Sequence, residues 1–424
     1  MDGYGVAGGA SAAARLRRND EHSKIILVEK GAYISYANCG LPYYIGNVIK
    51  SRDMLFVQNA ADFGKRFNID VRLNCEAISI NTHSKLVELK DLNTNTVVSE
   101  SYTKLVLSPG AFPVKPPLPG INNSGIFTLR NVSDTDAIKQ YIDIYKISQA
   151  VVVGAGFIGL EMAENLHNLG IKVSIVEMAP QVMPGIDFSM ASLVHSHIKS
   201  KNVNLYLNDA VSSFEKQGNN IITQLRSGRT IQSGLVILSI GVKPDTTLAK
   251  NAGLKIGDAG GIWVNEFMQT SHPDVYAVGD AIEFPHPLTG KSCITYLAGP
   301  ANKQGRIAAD NITTGNTIKY KGAIGTSIAK VFDITVASTG LSAKTLQKEN
   351  IPYISSITHS GSHAGYYPGA LQMTIKICFS KKNGQVLGAQ IVGYDGVDKR
   401  CDLLAGVIQN KGTVQDLLEI EHAY

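Results

Sequence analysis

The 424-residue sequence lacks the features that would place it in several large classes at once. It has no apolar run near the roughly 18 residues that a membrane-crossing helix needs, so no membrane partner is expected. Its N-terminus lacks the charged and apolar regions of an export signal. Its five cysteines, Cys39, Cys75, Cys293, Cys378 and Cys401, form neither a CxxC pair nor a Cys/His metal spacing, so no metal site is expected. An odd count without an export signal suits a reducing cytoplasm. A strong charge of either sign is also missing. The net charge is +5 and the basic residues are scattered, which argues against nucleic acid and leaves room for a small anionic partner. With 44% hydrophobic residues the chain can bury a large core without a disulfide scaffold. The length suits two or three domains.

What the sequence does have is glycine, placed after apolar runs. Residues 151–159 read VVVGAGFIG, a buried strand followed by Gly154, Gly156 and Gly159 in the GxGxxG spacing. The first glycine permits a tight turn, the second lets a pyrophosphate approach the backbone, and the third lets a helix pack on the strand. The phosphates then meet free N–H groups at the helix N-terminus. Glu177 ends the next strand, VSIVE, where a carboxylate binds a ribose 2′-hydroxyl; no arginine for a 2′-phosphate follows, which favours NADH over NADPH.

A second copy of the plan stands at the start. Gly3, Gly5 and Gly8 repeat the spacing, and Glu29, followed by Lys30, closes the next strand, IILVE. Only Met1 and Asp2 precede these glycines, so the strand that a dinucleotide fold needs there is not in the sequence. LVLSPGA at 105–111 is mirrored by LVILSIG at 235–241, ending in Gly241. VYAVGD at 275–280 is a further strand, whose Asp280 is placed to bond the ribityl or pyrophosphate part of a flavin. The fold class is therefore α/β: two Rossmann-like dinucleotide-binding domains, the nicotinamide domain inserted in the FAD domain, plus a C-terminal α+β domain, to which the resemblance given below adds a role in dimerisation. The expected boundaries are 1–115 and 245–322 for FAD, 116–244 for the nicotinamide cofactor, and 323–424 for the last domain.

Cys39 lies in SYANCGLPYYIG. A cysteine met alone is more often a small buried hydrophobe. Here a flavin and a nicotinamide call for an electron acceptor, and a thiol serves. Asn38, Gly40 and Pro42 suggest a turn that presents the sulfur, and a working nucleophile needs a lowered pKa. The other four cysteines sit in apolar or strand-like settings and read as structural.

Taken in order, these motifs resemble the pyridine nucleotide–disulfide oxidoreductase superfamily over nearly the whole chain. Dithiol members carry a second cysteine five positions after the first, and here that position is Tyr44. They also end in HPTxxE, and this chain ends EIEHAY. It therefore resembles the single-cysteine branch, which includes coenzyme A-disulfide reductases, persulfide reductases, NADH oxidases and NADH peroxidases. NCGLPYY is similar to the cysteine motif of the first group. Oxidases and peroxidases carry a histidine in the first glycine loop, where this chain has Ala7.

The resemblance implies FAD and NADH (or NADPH) as cofactors, coenzyme A as substrate or bound thiol, and a homodimer. It implies a role in cell redox homeostasis through reduction of a small-molecule disulfide or persulfide at Cys39. HAGYYPGA and the terminal HAY resemble segments that carry tyrosines to the partner's site, giving Tyr366 (or its neighbour Tyr367) and Tyr424 as acid groups, with plain interface packing the competing reading. Ser35 and Asn38 flank the sulfur. Ser11, Arg15 and Arg18 share one side of a helix by spacing. With Arg66, Asn302 and Arg306 they are candidates for a coenzyme A channel, against a solvated basic face. Family members continue past the position of Tyr424, so the last domain is expected to be truncated. The alternatives are an NADH oxidase or peroxidase cycling through a Cys39 sulfenate, or a nucleotide-sensing protein without turnover.

Overall fold

The structure, a computed structural model, describes residues 7–421. Gly3, Tyr4, Gly5 and Tyr424 lie outside the described residues, as does any question about a strand ahead of them. By packing, the chain falls into two compact units: residues 1–37, 52–112 and 242–323, and residues 38–51, 113–241 and 324–424. No helix of the described residues is long and apolar enough to cross a membrane.

In the first unit, the helix Gly8–Asn19 follows the first glycine run. Its small residues Ala10, Ala13 and Ala14 are buried with Ile25, Leu27 and Phe63. Strand Ile26–Val28 pairs in parallel with Asp70–Arg72, and Leu105–Leu107 pairs in parallel with Val275–Ala277. An antiparallel meander, Cys75–Asn81, Leu86–Asp91 and Val97–Ser101, completes the strand-rich part. The long helix Ala298–Thr314 packs along Gly8–Asn19.

The second unit holds two five-stranded sheets. One is wholly parallel, in the order Ile126–Thr128, Leu235–Leu238, Gln149–Val153, Lys172–Val176 and Asn204–Tyr206. Its central strands read as continuous aliphatic runs because they are buried on both faces; Val151, Val152, Val236 and Ile237 are fully buried. The other sheet is antiparallel, in the order Ser327–Val331, Ile334–Gly340, Val386–Gly393, Gln372–Ser380 and Tyr353–Gly361. Helix Val397–Gln409 covers one face through Val397, Cys401 and Leu404. The edge strand Tyr353–Gly361 exposes eight consecutive residues, 354–361, and has no strand paired on its outer side among the described residues.

Candidate active site

Strand Gln149–Val153 turns at Gly154, whose φ of +99° is a conformation that side chains oppose. A Cβ at Gly159 would stand 2.0 Å from the carbonyl oxygen of Gly154, so only glycine lets the helix Phe157–Asn168 seat against the turn. A Cβ on Gly156 would meet nothing within 4 Å, and the same holds for Gly241. The helix begins at Gly156 without a side-chain cap or an acidic residue in its first turn. Its leading N–H groups and positive dipole end are thus left for an anion. Glu177 follows strand Lys172–Val176. Its carboxylate accepts from the N–H of Ala155 at 2.7 Å and of Ala179 at 2.8 Å, which fixes both sides of the turn. These residues fit a dinucleotide.

The first glycine run repeats the arrangement. Helix Gly8–Asn19 starts after Ala7 with no side-chain cap and no acid in its first turn. Glu29 is buried, and its carboxylate accepts from the Gly31 N–H at 2.7 Å. Asp280 lies in the short turn Gly279–Ala281, which Gln304 ties by accepting from the Gly279 N–H at 2.8 Å. An uncapped helix start with two strand-end carboxylates in the same unit fits a second dinucleotide. The Lys30 ammonium is engaged by Glu76 at 2.7 Å.

The basic residues separate into two kinds. Ser11 donates to Asn302 at 2.8 Å, and Arg15 donates to Asp310 at 2.6 and 3.3 Å. These contacts join two helices, so Arg15 is not the free phosphate fork expected from its spacing: a carboxylate from a distant part of the chain already fills it. Arg306 stands one turn before Asp310 and is exposed. Arg18 and Arg66 are different. Both are exposed and lie over the same ring, Phe67, at 5.5 and 5.3 Å, with no carboxylate partner among the described residues. Ser35 sits in the short strand Ser35–Tyr36, paired with Phe56–Gln58.

Asn38, Cys39 and Gly40 form a single 3₁₀ turn that leads into helix Leu41–Ile45, with Pro42 in its first turn as fixed φ favours. Cys39 is exposed as a residue, while desolvation of its thiol and the nearby charge of Glu161 both raise its pKa. The lowered pKa expected for a nucleophile is therefore not supplied by the neighbouring side chains, because the charge that acts on the thiol, Glu161, is negative rather than positive. Cys75, Cys378 and Cys401 are buried. Burial pushes the thiols of Cys378 and Cys401 up to about 11. Half-buried Cys293 donates weakly to the Phe284 carbonyl.

Tyr366 and Tyr367 lie in the loop between the edge strand and Gln372–Ser380, and they are 79% and 66% exposed. Sequence reasoning missed Glu161, Glu164 and Tyr43. Burial, then Glu164, lifts the Glu161 carboxyl to about 7. Burial, Glu161, Glu164 and Cys39 together hold the Tyr43 phenol well above its ordinary range. The available signal was a pair of carboxylates three apart in an otherwise apolar helix, FIGLEMAEN, directly after the glycines.

Comparison with known proteins places these features together. Residues 3–305 match the family described as pyridine nucleotide-disulphide oxidoreductase, and residues 326–424 match its dimerisation domain. The chain is 34% identical to the coenzyme A disulfide reductase of Staphylococcus haemolyticus over 99% of its own length and 93% of the relative's. It superposes on reduced Bacillus anthracis CoADR-RHD with a TM-score of 0.97 at 51% identity, over 100% of this chain and 76% of that one. For the NAD-dependent persulfide reductase of A. fulgidus the TM-score is 0.96 at 38% identity, over 100% and 79%. The water-forming NADH oxidase of Lactobacillus brevis, at 24% identity and a TM-score of 0.94, shares the fold.

Proposed function

Because the chain belongs to the pyridine nucleotide-disulphide oxidoreductase family, we propose that it is a flavoprotein that uses NADH, or NADPH, to reduce coenzyme A disulfide or a related disulfide or persulfide at Cys39. The observation that carries this reading is Cys39 itself. It is an exposed thiol at the head of a helix that packs on the dinucleotide helix, in a chain that matches a coenzyme A disulfide reductase over 99% of its length.

The glycine turn at Gly154–Gly159, with Glu177 and Gly241, would hold the nicotinamide dinucleotide; Gly5, Gly8, Glu29, Lys30 and Asp280 would hold FAD. When bound, the flavin accepts hydride from the nicotinamide and returns an electron pair to sulfur. The chain's own part is thiol–disulfide exchange. The Cys39 thiolate attacks one sulfur of the substrate, a mixed disulfide forms, and the second sulfur leaves as a thiolate. Tyr366 and Tyr424 are the proposed donors of its proton. Arg18 and Arg66, free of carboxylates over Phe67, suit the phosphates of coenzyme A better than Arg15, with Ser11, Ser35, Asn38, Asn302 and Arg306 as further contacts.

The dimerisation domain supports a homodimer. Its edge strand Tyr353–Gly361, with Ile354 and Ile357 exposed, and the loop bearing Tyr366 would meet a second copy. The proposed division into an FAD domain, an inserted nicotinamide domain and the 323–424 domain follows from this reading, as does a cytoplasmic location. The deciding experiment follows NADH oxidation by FAD-loaded protein with coenzyme A disulfide, coenzyme A persulfide and peroxide in turn. Turnover with either coenzyme A species is the expected result. Turnover with peroxide or oxygen alone would reverse the reading.

A further inference from the structure

A cavity of about 300 Å³ lies in the second unit, at the end of helix Leu41–Ile45 opposite Cys39. Its wall is aliphatic. Ile45 comes from that helix, Ile142 and Ile147 from the end of helix Val132–Tyr145 and the chain just after it, and Leu169 and Ile171 from the chain that follows the dinucleotide helix. None of its lining residues belongs to the dinucleotide, thiol or phosphate contacts described above. The volume is at the lower end of small-molecule sites. Filled at the density of a protein interior, about three-quarters, it holds on the order of ten heavy atoms.

The polar groups of the lining are Asn47, Lys139, Asp143 and Lys146. Lys139 is half-buried. Its ammonium donates to Asn47 Oδ1 at 2.5 Å and to the Tyr44 carbonyl at 3.5 Å, and it lies 5.0 Å from the centre of the Tyr44 ring. Both acceptors are neutral, so no carboxylate among the described residues balances this charge. Asp143, one helical turn further on, is exposed and does not pair with it. Lys146 is exposed and has no carboxylate partner among the described residues. The two helices that end here would add partial negative charge, but carbonyls of their last turns are already bonded: Ile142 accepts from Ile147, Leu166 from Ile171 and His167 from Gly170. Two ammonium groups, one of them half-buried, thus stand against one exposed carboxylate at the edge of an aliphatic space.

We propose that this cavity is a binding site for a small carboxylate with an aliphatic body. The isoleucines and Leu169 take the body, which gains by leaving water. Lys139 takes the carboxylate in a charge-assisted hydrogen bond, the stronger for being half-shielded from solvent. Lys146 adds a second positive charge at the mouth. An alcohol of the same length lacks the charge that Lys139 would meet, and an amine of the same length meets a like charge. Asn47 and Tyr44 belong to the segment that carries Cys39, so a bound carboxylate competes with that segment for a single ammonium group.

The test is calorimetric titration of FAD-loaded, NAD-saturated protein with octanoate, octanol and octylamine, the dinucleotides keeping the probes out of their own sites. Octanoate should bind saturably with a Kd of about 1 mM or below, and octanol and octylamine on the order of tenfold more weakly. Lys139→Met should weaken octanoate on the order of tenfold and leave octanol nearly unchanged. Leu169→Trp, which fills the cavity, should abolish octanoate binding. Lys146→Met changes an exposed side chain and should weaken octanoate several-fold, on the order of an exposed charge pair; it keeps the test open if Lys139→Met fails to fold. Circular dichroism and flavin content identify the folded variants. Absence of saturable octanoate binding, equal or tighter binding of octanol or octylamine, or unchanged octanoate binding in Leu169→Trp would each overturn the proposal.

Discussion

Asp187 and Lys376 form an ion pair at 2.9 Å with both side chains more than nine-tenths buried. Asp187 closes the loop that leads from Glu177, at the end of strand Lys172–Val176, into helix Phe188–Ser200, and Lys376 lies in the antiparallel sheet. The carboxylate also accepts from Gln390 at 2.8 Å and from the N–H groups of Ala343 and Lys344. These donors outweigh burial and hold its pKa below the ordinary range. One carboxylate thus joins the loop beside the dinucleotide turn to the C-terminal sheet.

Replacing Lys376 by methionine should cost about 3 kcal/mol, because a buried charge loses its counter-charge while its shape is kept. Urea unfolding of the variant checks this. The double variant with Asp187→Asn should recover part of the loss, and a loss equal to the sum of the single changes would show that the pair is not coupled.

Replacing Cys39 by serine should abolish disulfide turnover and leave flavin content unchanged. Steady-state NADH oxidation and the absorbance of bound flavin measure the two separately. Loss of flavin together with activity would point to a structural role for the turn.

Replacing Glu177 by alanine should raise the KM for NADH by about tenfold or more, since a charged hydrogen-bond acceptor is worth about 1.5–3 kcal/mol. The same carboxylate also fixes the N–H groups of Ala155 and Ala179. Adding Met178→Arg should shift the kcat/KM ratio towards NADPH, because arginine suits a 2′-phosphate. An unchanged ratio would remove Glu177 from cofactor choice.

The folded-state pKa of Glu161, about 7, lies above its ordinary value of 4.5. The folded protein therefore holds this proton more tightly than the unfolded chain, and stability falls as pH rises from about 4.5 to about 7. Glu161→Gln should be more stable than the wild type by about 3 kcal/mol at pH 8 and equal to it near pH 4. Denaturant midpoints at the two pH values decide it.

The dinucleotide turn was legible in the sequence because its causes are local. Gly154 needs its φ, Gly159 needs the absence of a Cβ, and both demands fall within six residues of one strand end. The exposed turn at Cys39 was legible for the same reason, through Asn38, Gly40 and Pro42. Arg15 was not. Its spacing with Ser11 suggested one helix side, but the carboxylate that fills it, Asp310, comes from a helix 295 residues later in the chain. Glu161 escaped notice because its raised pKa comes from packing: burial, and beside it Glu164, which is spent on Lys330. Local spacing specifies backbone shape, whereas charge balance depends on contacts between distant parts of the chain.

The edge strand Tyr353–Gly361 has a consequence for how the protein is made. Along its outer side, alternate residues of this nine-residue strand turn their N–H and C=O groups away from Gln372–Ser380, a template for an extended segment of matching length. A freshly synthesised copy at low abundance therefore faces a race between its own kind and unrelated strands. Its yield of usable protein then depends on how many copies are nearby during synthesis, as well as on the stability of the finished fold.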